Sequence, residues 1–173
     1  MLTITSFNNT FTGPAPQIGT GDFSLDVWVK TSASYGYFLD TRGSSTSNAG
    51  WMAGMYGGRP LLQLNSGGHA GRGMAHNYLA PIRVADGGWH LVTFSIDRDV
   101  NVTIYVDRAE VLSEPARYID ADLTGSMLTL GSAIDPTPFL GQLDDIELVR
   151  HARSGGEVAQ RFDAGAEHRC LAC

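Results

Sequence analysis

Residues Asp86 to Val111, DGGWHLVTFSIDRDVNVTIYVDRAEV, limit what this chain can fold into more than any other stretch. Two alternating runs face each other across a short acidic turn. In the first run Trp89, Leu91 and Thr93 take one side while His90, Val92, Phe94 and Ile96 take the other, the two-residue period of a strand. In the second run Val100, Val102, Ile104 and Val106 share a face, and β-branched residues fill most positions. Asp97, Arg98 and Asp99 supply the turn. One face of this hairpin must be buried, which makes it the centre of an all-β sandwich.

The rest of the chain fits short strands joined by tight turns. Leu2 and Ile4 alternate with Thr3 and Thr5 as a strand lying near the chain's end in a closed sandwich. Phe23, Leu25, Val27 and Val29 form the core face of another strand, with Trp28 on its reverse covering core at a sheet edge. Tyr35 to Leu39 is a further strand. Trp51 to Tyr56 and Pro60 to Leu64 pair through Gly57 and Gly58. Asn65 to Ala75, with four glycines and no apolar period, reads as a mobile surface loop. Met127 to Gly131 and Phe139 to Val149 complete the strands. Ser154 and Glu157 then spell a capping box that opens a helix of about two to three turns. Val158 and Phe162 bury its inner face, and Gly165 is its stop.

Length and composition set the outer bounds. At 173 residues the chain has room for one sizeable core, so residues 1–173 read as a single domain with a tail over about 166–173. The 21 glycines sit in turn-like clusters, and there is no linker or internal repeat. The net charge of −6 comes without a basic block, which argues against nucleic acid or an anionic membrane as partner. No run of about 18 apolar residues is available to span a bilayer as a helix. The opening residues lack a signal-peptide pattern, so the chain begins near a domain edge or works inside the cell. Cys170 and Cys173 form a terminal C-x-x-C with His168 as the one nearby extra ligand, and a plain domain terminus explains them better than zinc or redox chemistry.

Three segments carry a resemblance. Asp86 to Phe94 (DGGWHLVTF) with Tyr105-Val106-Asp107, Phe23 to Lys30 (FSLDVWVK) and Phe139 to Arg150 (FLGQLDDIELVR) resemble, in order, the laminin-G-like, concanavalin-A-like jelly rolls. Ala164 to Cys170 is similar to the end of bacterial modules of this type. The resemblance implies an antiparallel two-sheet jelly roll with one short C-terminal helix. One departure is Arg108, which stands where the family has glycine, so that turn must differ in type.

Three kinds of chemistry compete for the function. Catalysis by paired carboxylates has only Asp144, Asp145 and Glu147 to draw on, and strand alternation puts Asp145 and Glu147 alone on one face. The resemblance makes this acidic segment structural. A rim Ca²⁺, which the resemblance also implies, would use oxygen ligands from loops, with Asp40 and Asp135 best placed. Carbohydrate binding needs aromatic faces and polar donors. Trp51, Tyr56, Arg59, His69, Arg72, His76, Asn77 and Tyr78 supply these types in one loop-rich stretch. The expectation is a non-catalytic, lectin-like module that binds a glycan, in an extracellular or cell-surface protein, with a cytoplasmic location left open. The alternative is a protein-interaction or adhesion module, with a hydrolase or lyase on the same fold as a third reading.

Overall fold

The computed structural model describes residues 2–4, 11–43, 48–67, 75–118, 120–132 and 138–166. Among them run β1 (Leu2–Ile4), β2 (Phe11–Gly13), β3 (Phe23–Lys30), β4 (Gly36–Asp40), β5 (Gly50–Tyr56), β6 (Arg59–Asn65) and β7 (Ala75–Leu79). There follow β8 (Trp89–Ile96), β9 (Asn101–Val106), β10 (Ala109–Pro115), β11 (Leu128–Leu130), β12 (Gly141–Val149) and α1 (Gly155–Ala166). The strands form two six-stranded antiparallel sheets, a jelly-roll sandwich. The first has the order β1-β12-β3-β8-β9-β10 and the second β2-β11-β4-β5-β6-β7. The alternating residues foreseen in β3 and the β8–β9 hairpin meet residues of β4, β5, β6 and β7 in one core, including Phe38, Trp51, Leu62 and Tyr78. Burying each such side chain contributes about 1.5–3 kcal/mol.

The central hairpin pairs as its pattern requires, Val92 with Val106, Phe94 with Ile104 and Ile96 with Val102. Two of its turn residues depart from expectation. Val100, grouped by alternation with the core face, lies in the turn and is 59% exposed. Arg98, expected simply to make the turn, is 2% exposed. Its guanidinium donates to the Tyr118 and Ala121 carbonyls, and its backbone N–H donates to Asp22 Oδ1. Burial lowers its pKa, and Asp22, Asp120 and Asp122 pull the other way.

At the β9–β10 turn the positive φ of 58° falls on Asp107, not on Arg108. Aspartate tolerates this region better than arginine, and here it gains partners for doing so. Its carboxylate accepts from the Leu91 N–H and sits 3.0 Å from His90 Nδ1.

Sheet position corrects two other expectations. β3 is an inner strand, so Trp28 covers no edge: it is fully buried, its ring 5.4 Å from Phe162 of α1. A bulge in β12 corrects the carboxylate geometry. Asp144 lies opposite Trp28 and Glu147 opposite Asp26, so one extra residue intervenes and Glu147 shares the face of Asp144 instead of that of Asp145. Asp145 takes the strain at φ 44°. Edge strands β2, β7 and β10 were not anticipated, because half-exposed edges carry charges, glycine and proline in place of a clear apolar period.

The capping box closes α1 as expected. Ser154 Oγ accepts from the Glu157 N–H at 3.4 Å, and Glu157 Oε2 accepts from the Ser154 N–H at 2.8 Å. Those Ser154 bonds, with His151 adding to them, hold the Glu157 carboxyl down at about 2. The stabilisation is therefore present above the ordinary glutamate range and is lost as pH falls toward 2. Val158 is buried as foreseen, whereas Phe162 is only half-buried between Trp28 and the Arg108 guanidinium, 5.2 Å from its ring. Gly165 does not stop the helix, which runs to Ala166. The glycine is required by packing, since a Cβ there would come 2.4 Å from Trp28 Nε1.

The seating of α1 on Trp28 and the acids around His90 of β8 can each be tested. Gly165→Ala gains about 1 kcal/mol of helix propensity but incurs roughly 1–3 kcal/mol of overpacking against an indole that cannot move, so denaturant unfolding should show a net loss. A more stable variant would show that α1 is not seated on Trp28. The Asp107 hydrogen bond raises the His90 pKa, burial opposes it, and Asp86 adds to the rise. Its stabilisation is complete below the ordinary histidine range and is lost as pH climbs through the raised value. Melting temperature should drop over that interval in the parent protein and stay flatter in His90→Asn.

Candidate functional site

The outward face of the second sheet is built by alternation. Trp51, Ala53 and Met55 of β5 face the core, which leaves Gly50, Met52, Gly54 and Tyr56 outside. Cross-strand register then aligns residues of β4, β5, β6 and β7 into rows. The first row is Asp40, Met52, Gln63 and Asn77. Arg42 reaches across it. Its Nε donates to Asp40 Oδ1 at 2.9 Å and its Nη2 to Asp40 Oδ2 at 2.8 Å, while Nη1 donates to Gln63 Oε1 at 2.5 Å.

This ladder has a direction. A guanidinium can only donate, so the Gln63 amide must turn its oxygen toward Arg42 and its nitrogen away. Gln63 Nε2 accordingly donates to Asn77 Oδ1 at 2.8 Å. Asn77 is thereby held with its NH₂ group as the outward donor on an exposed position. Asp40 and Arg42 are both buried, so the anchored end of the ladder is shielded from solvent and rigid.

The next row along the strands, roughly 7 Å away, is Tyr37, Gly54, Leu61 and Leu79. Gly54 is needed here because a Cβ would meet Gly36 O at 2.6 Å and Tyr37 Cδ1 at 2.8 Å. The sheet ends at Tyr56 and Arg59, which pair across the Gly57-Gly58 turn. Both glycines have positive φ, 62° and 77°, as a two-residue hairpin turn demands. Tyr35 packs edge-on to Tyr56 at 5.3 Å, and the two rings are 52% and 54% exposed. Arg83 donates to Gly57 O and occupies the place where a Gly58 Cβ would lie.

The expected site residues therefore separate. Tyr56, Arg59 and Asn77 belong to this outward face. Trp51 and Tyr78 do not: both are fully buried core residues, Trp51 5.4 Å from Phe23. Tyr78 OH accepts from the Arg117 N–H and donates to Pro115 O. Burial raises its pKa, against the pull of Arg117. The cause of both corrections is that this stretch is strand, not loop, so neighbouring residues point to opposite faces. His76 shares the inward side with Tyr78, 4.7 Å from its ring, and its Nε2 lies 3.9 Å from Glu114 at the open edge between the sheets. His69 and Arg72 lie outside the described residues, as do Asp135, His168, Cys170 and Cys173. Arg42, Gln63, Tyr35, Tyr37 and Arg83 are not among the site residues the sequence nominates, and Asp40 is nominated only as a calcium ligand. The Gly-Gly turn pointed to the end of the face, but nothing local showed that Arg42 and Gln63 meet.

The residues present do not suit calcium at Asp40. Both of its oxygens already accept from Arg42, whose charge opposes a second cation. Among the described residues no group of three His, Cys, Asp or Glu side chains is placed to hold a metal ion. The carboxylates of β12 are likewise committed. Glu147 Oε2 lies 2.9 Å from Arg153 Nη2 and 3.2 Å from Arg161 Nε.

Two packed antiparallel sheets of this kind form a concanavalin A-like jelly roll. The match of residues 6–159 to the family described as the concanavalin A-like lectin/glucanases superfamily shows that the chain belongs to it. The search of curated proteins returned no match. Among solved structures the chain is similar to the binding domain of Paraclostridial Mosquitocidal Protein 1, with 12% identity and a TM-score of 0.71 over 94% of this chain and 42% of that one. It is also similar to the botulinum neurotoxin serotype G binding domain, at 17% identity and a TM-score of 0.70 over 95% and 42%. A third is botulinum neurotoxin type C, whose cell entry depends on interaction with two ganglioside molecules, at 13% identity and a TM-score of 0.63 over 94% and 44%. At these identities the likeness establishes the fold. The chain spans less than half of each, so the ganglioside interaction is a property of that larger protein.

The anchored end of the ladder yields a prediction. Asp40→Ala leaves the Arg42 cation buried and unpaired, which should cost about 3–5 kcal/mol. The loss should be the same in millimolar calcium and in chelator. A loss seen only with calcium present would make Asp40 a metal ligand instead.

Proposed function

We propose that this domain is a non-catalytic recognition module that binds a glycan on the outward face of its second sheet. The observation that carries this reading is the Asp40–Arg42–Gln63–Asn77 ladder, which ends in an amide whose donors are aimed outward before any ligand arrives. A sugar offers hydroxyl acceptors at its rim and apolar C–H patches on its faces. The Asn77 donor suits the first, and the partly exposed Tyr37 and Leu79 with the exposed Tyr56 beyond them suit the second. Because the donors are held by the fold, little side-chain ordering is lost on binding. The non-catalytic part rests on the arginines that occupy Glu147, and the module is assigned to an extracellular or cell-surface protein because glycans are displayed there.

Asn77→Ala and Gln63→Ala test the ladder on a glycan array run with calcium and with chelator. Asn77 is exposed, so its replacement should change stability by no more than about 0.5 kcal/mol. Loss of one positioned hydrogen bond should weaken glycan binding roughly fivefold or more. Binding left unchanged by both substitutions would put the recognition surface on another face.

A further inference from the structure

We infer that the Gly57-Gly58 turn forms an anion subsite at the end of the recognition face, taking the carboxylate or sulfate of an acidic sugar. This rests on the glycan reading above and names the class of glycan. Four side chains converge on the turn. Tyr35 and Tyr56 present two exposed rings at right angles, and Arg59 and Arg83 flank them.

The arginines are the informative part. Arg42, Arg108, Arg153 and Arg161 each lie against a carboxylate of the chain. Arg59 and Arg83, like Arg117 and Arg150, form no ion pair with any described residue; what sets the first two apart is their place beside the turn, where Arg83 donates to Gly57 O. A guanidinium fork matches a planar carboxylate or a sulfate edge with paired, charge-assisted hydrogen bonds. Gly58 lets Arg83 lie directly against the turn, because a Cβ there would come 2.8 Å from the guanidinium carbon. The perpendicular tyrosines give the pyranose ring of the same sugar an apolar wall. The overall negative charge repels acidic ligands at a distance, so selectivity arises from contact at the turn and not from long-range steering.

The test compares the parent protein with Arg59→Gln and Arg83→Gln by calorimetric titration of lactose, sialyllactose and sulfated lactose, one backbone in neutral, carboxylated and sulfated form. The acidic versions should bind the parent protein roughly tenfold to a hundredfold more tightly than the neutral one. Arg59→Gln and Arg83→Gln should each cut affinity for the acidic forms by a larger factor than affinity for the neutral form, with the melting temperature as it was. Raising salt should narrow the preference in the parent protein. The carboxylated and sulfated arms show which acid the subsite takes. Equal affinity for neutral and acidic forms, or a preference that survives both substitutions, overturns the anion subsite and leaves glycan recognition standing. Failure of any form to bind overturns the glycan reading itself, and the subsite with it.

Discussion

The structure depends on one buried carboxylate. Asp26 sits mid-strand in β3, fully buried on the face turned away from the sandwich core. It accepts from Thr93 Oγ1 at 2.6 Å, and its Oδ2 lies 2.8 Å from Arg153 Nε. Arg153 in turn donates its backbone N–H to Ser24 Oγ, pairs with Glu147 and leads directly into the cap of α1. One acid therefore joins β3, β8, β12 and the start of the helix. Burial pushes its pKa up even though the Thr93 bond and the Arg153 charge pull it down, so the cluster costs desolvation in exchange for a defined helix position. α1 is seated over Trp28 on the outward face of the first sheet.

The second sheet carries no helix of the described residues on its outer face. Its inner face supplies Phe38, Trp51, Leu62 and Tyr78 to the core. Two devices shape the outer one. A buried ion pair turns a row of amides into an ordered set of donors, and three glycines, Gly54, Gly57 and Gly58, allow both a close approach by Tyr37 and Arg83 and a tight turn. Each is a placement of side chains on a rigid sheet, which holds them more accurately than a loop would.

The acidic residues show why residue type alone is a weak guide to chemistry. Asp40 has the composition of a calcium ligand and Glu147 that of a catalytic acid, yet each is already answered by arginine. The bulge at Asp145 also separates the two carboxylates that simple alternation would pair. A charge is available for chemistry only when its own protein does not neutralise it, and the buried Arg42 is neutralised by Asp40.

By itself the sequence determined the sandwich. The two-residue period of β3, β8 and β9 dictates which face is buried, the Gly57-Gly58 pair dictates a hairpin, and Ser154 with Glu157 dictates where the helix begins. All of these are local, set by neighbours within a few positions. Part of the site was legible for the same reason, since Tyr56 and Arg59 flank a readable turn. Only the tertiary structure decided the rest. Trp51 and Asn77 look alike as candidates in a polar, glycine-rich stretch, but strand alternation sends one to the core and the other to the surface, and which way each points follows from the pairing of four strands. Arg42 and Gln63 stand 21 residues apart and meet because that pairing brings β4 and β6 to either side of β5. Register is a non-local quantity, and a ladder built on register is invisible until the strands are placed side by side.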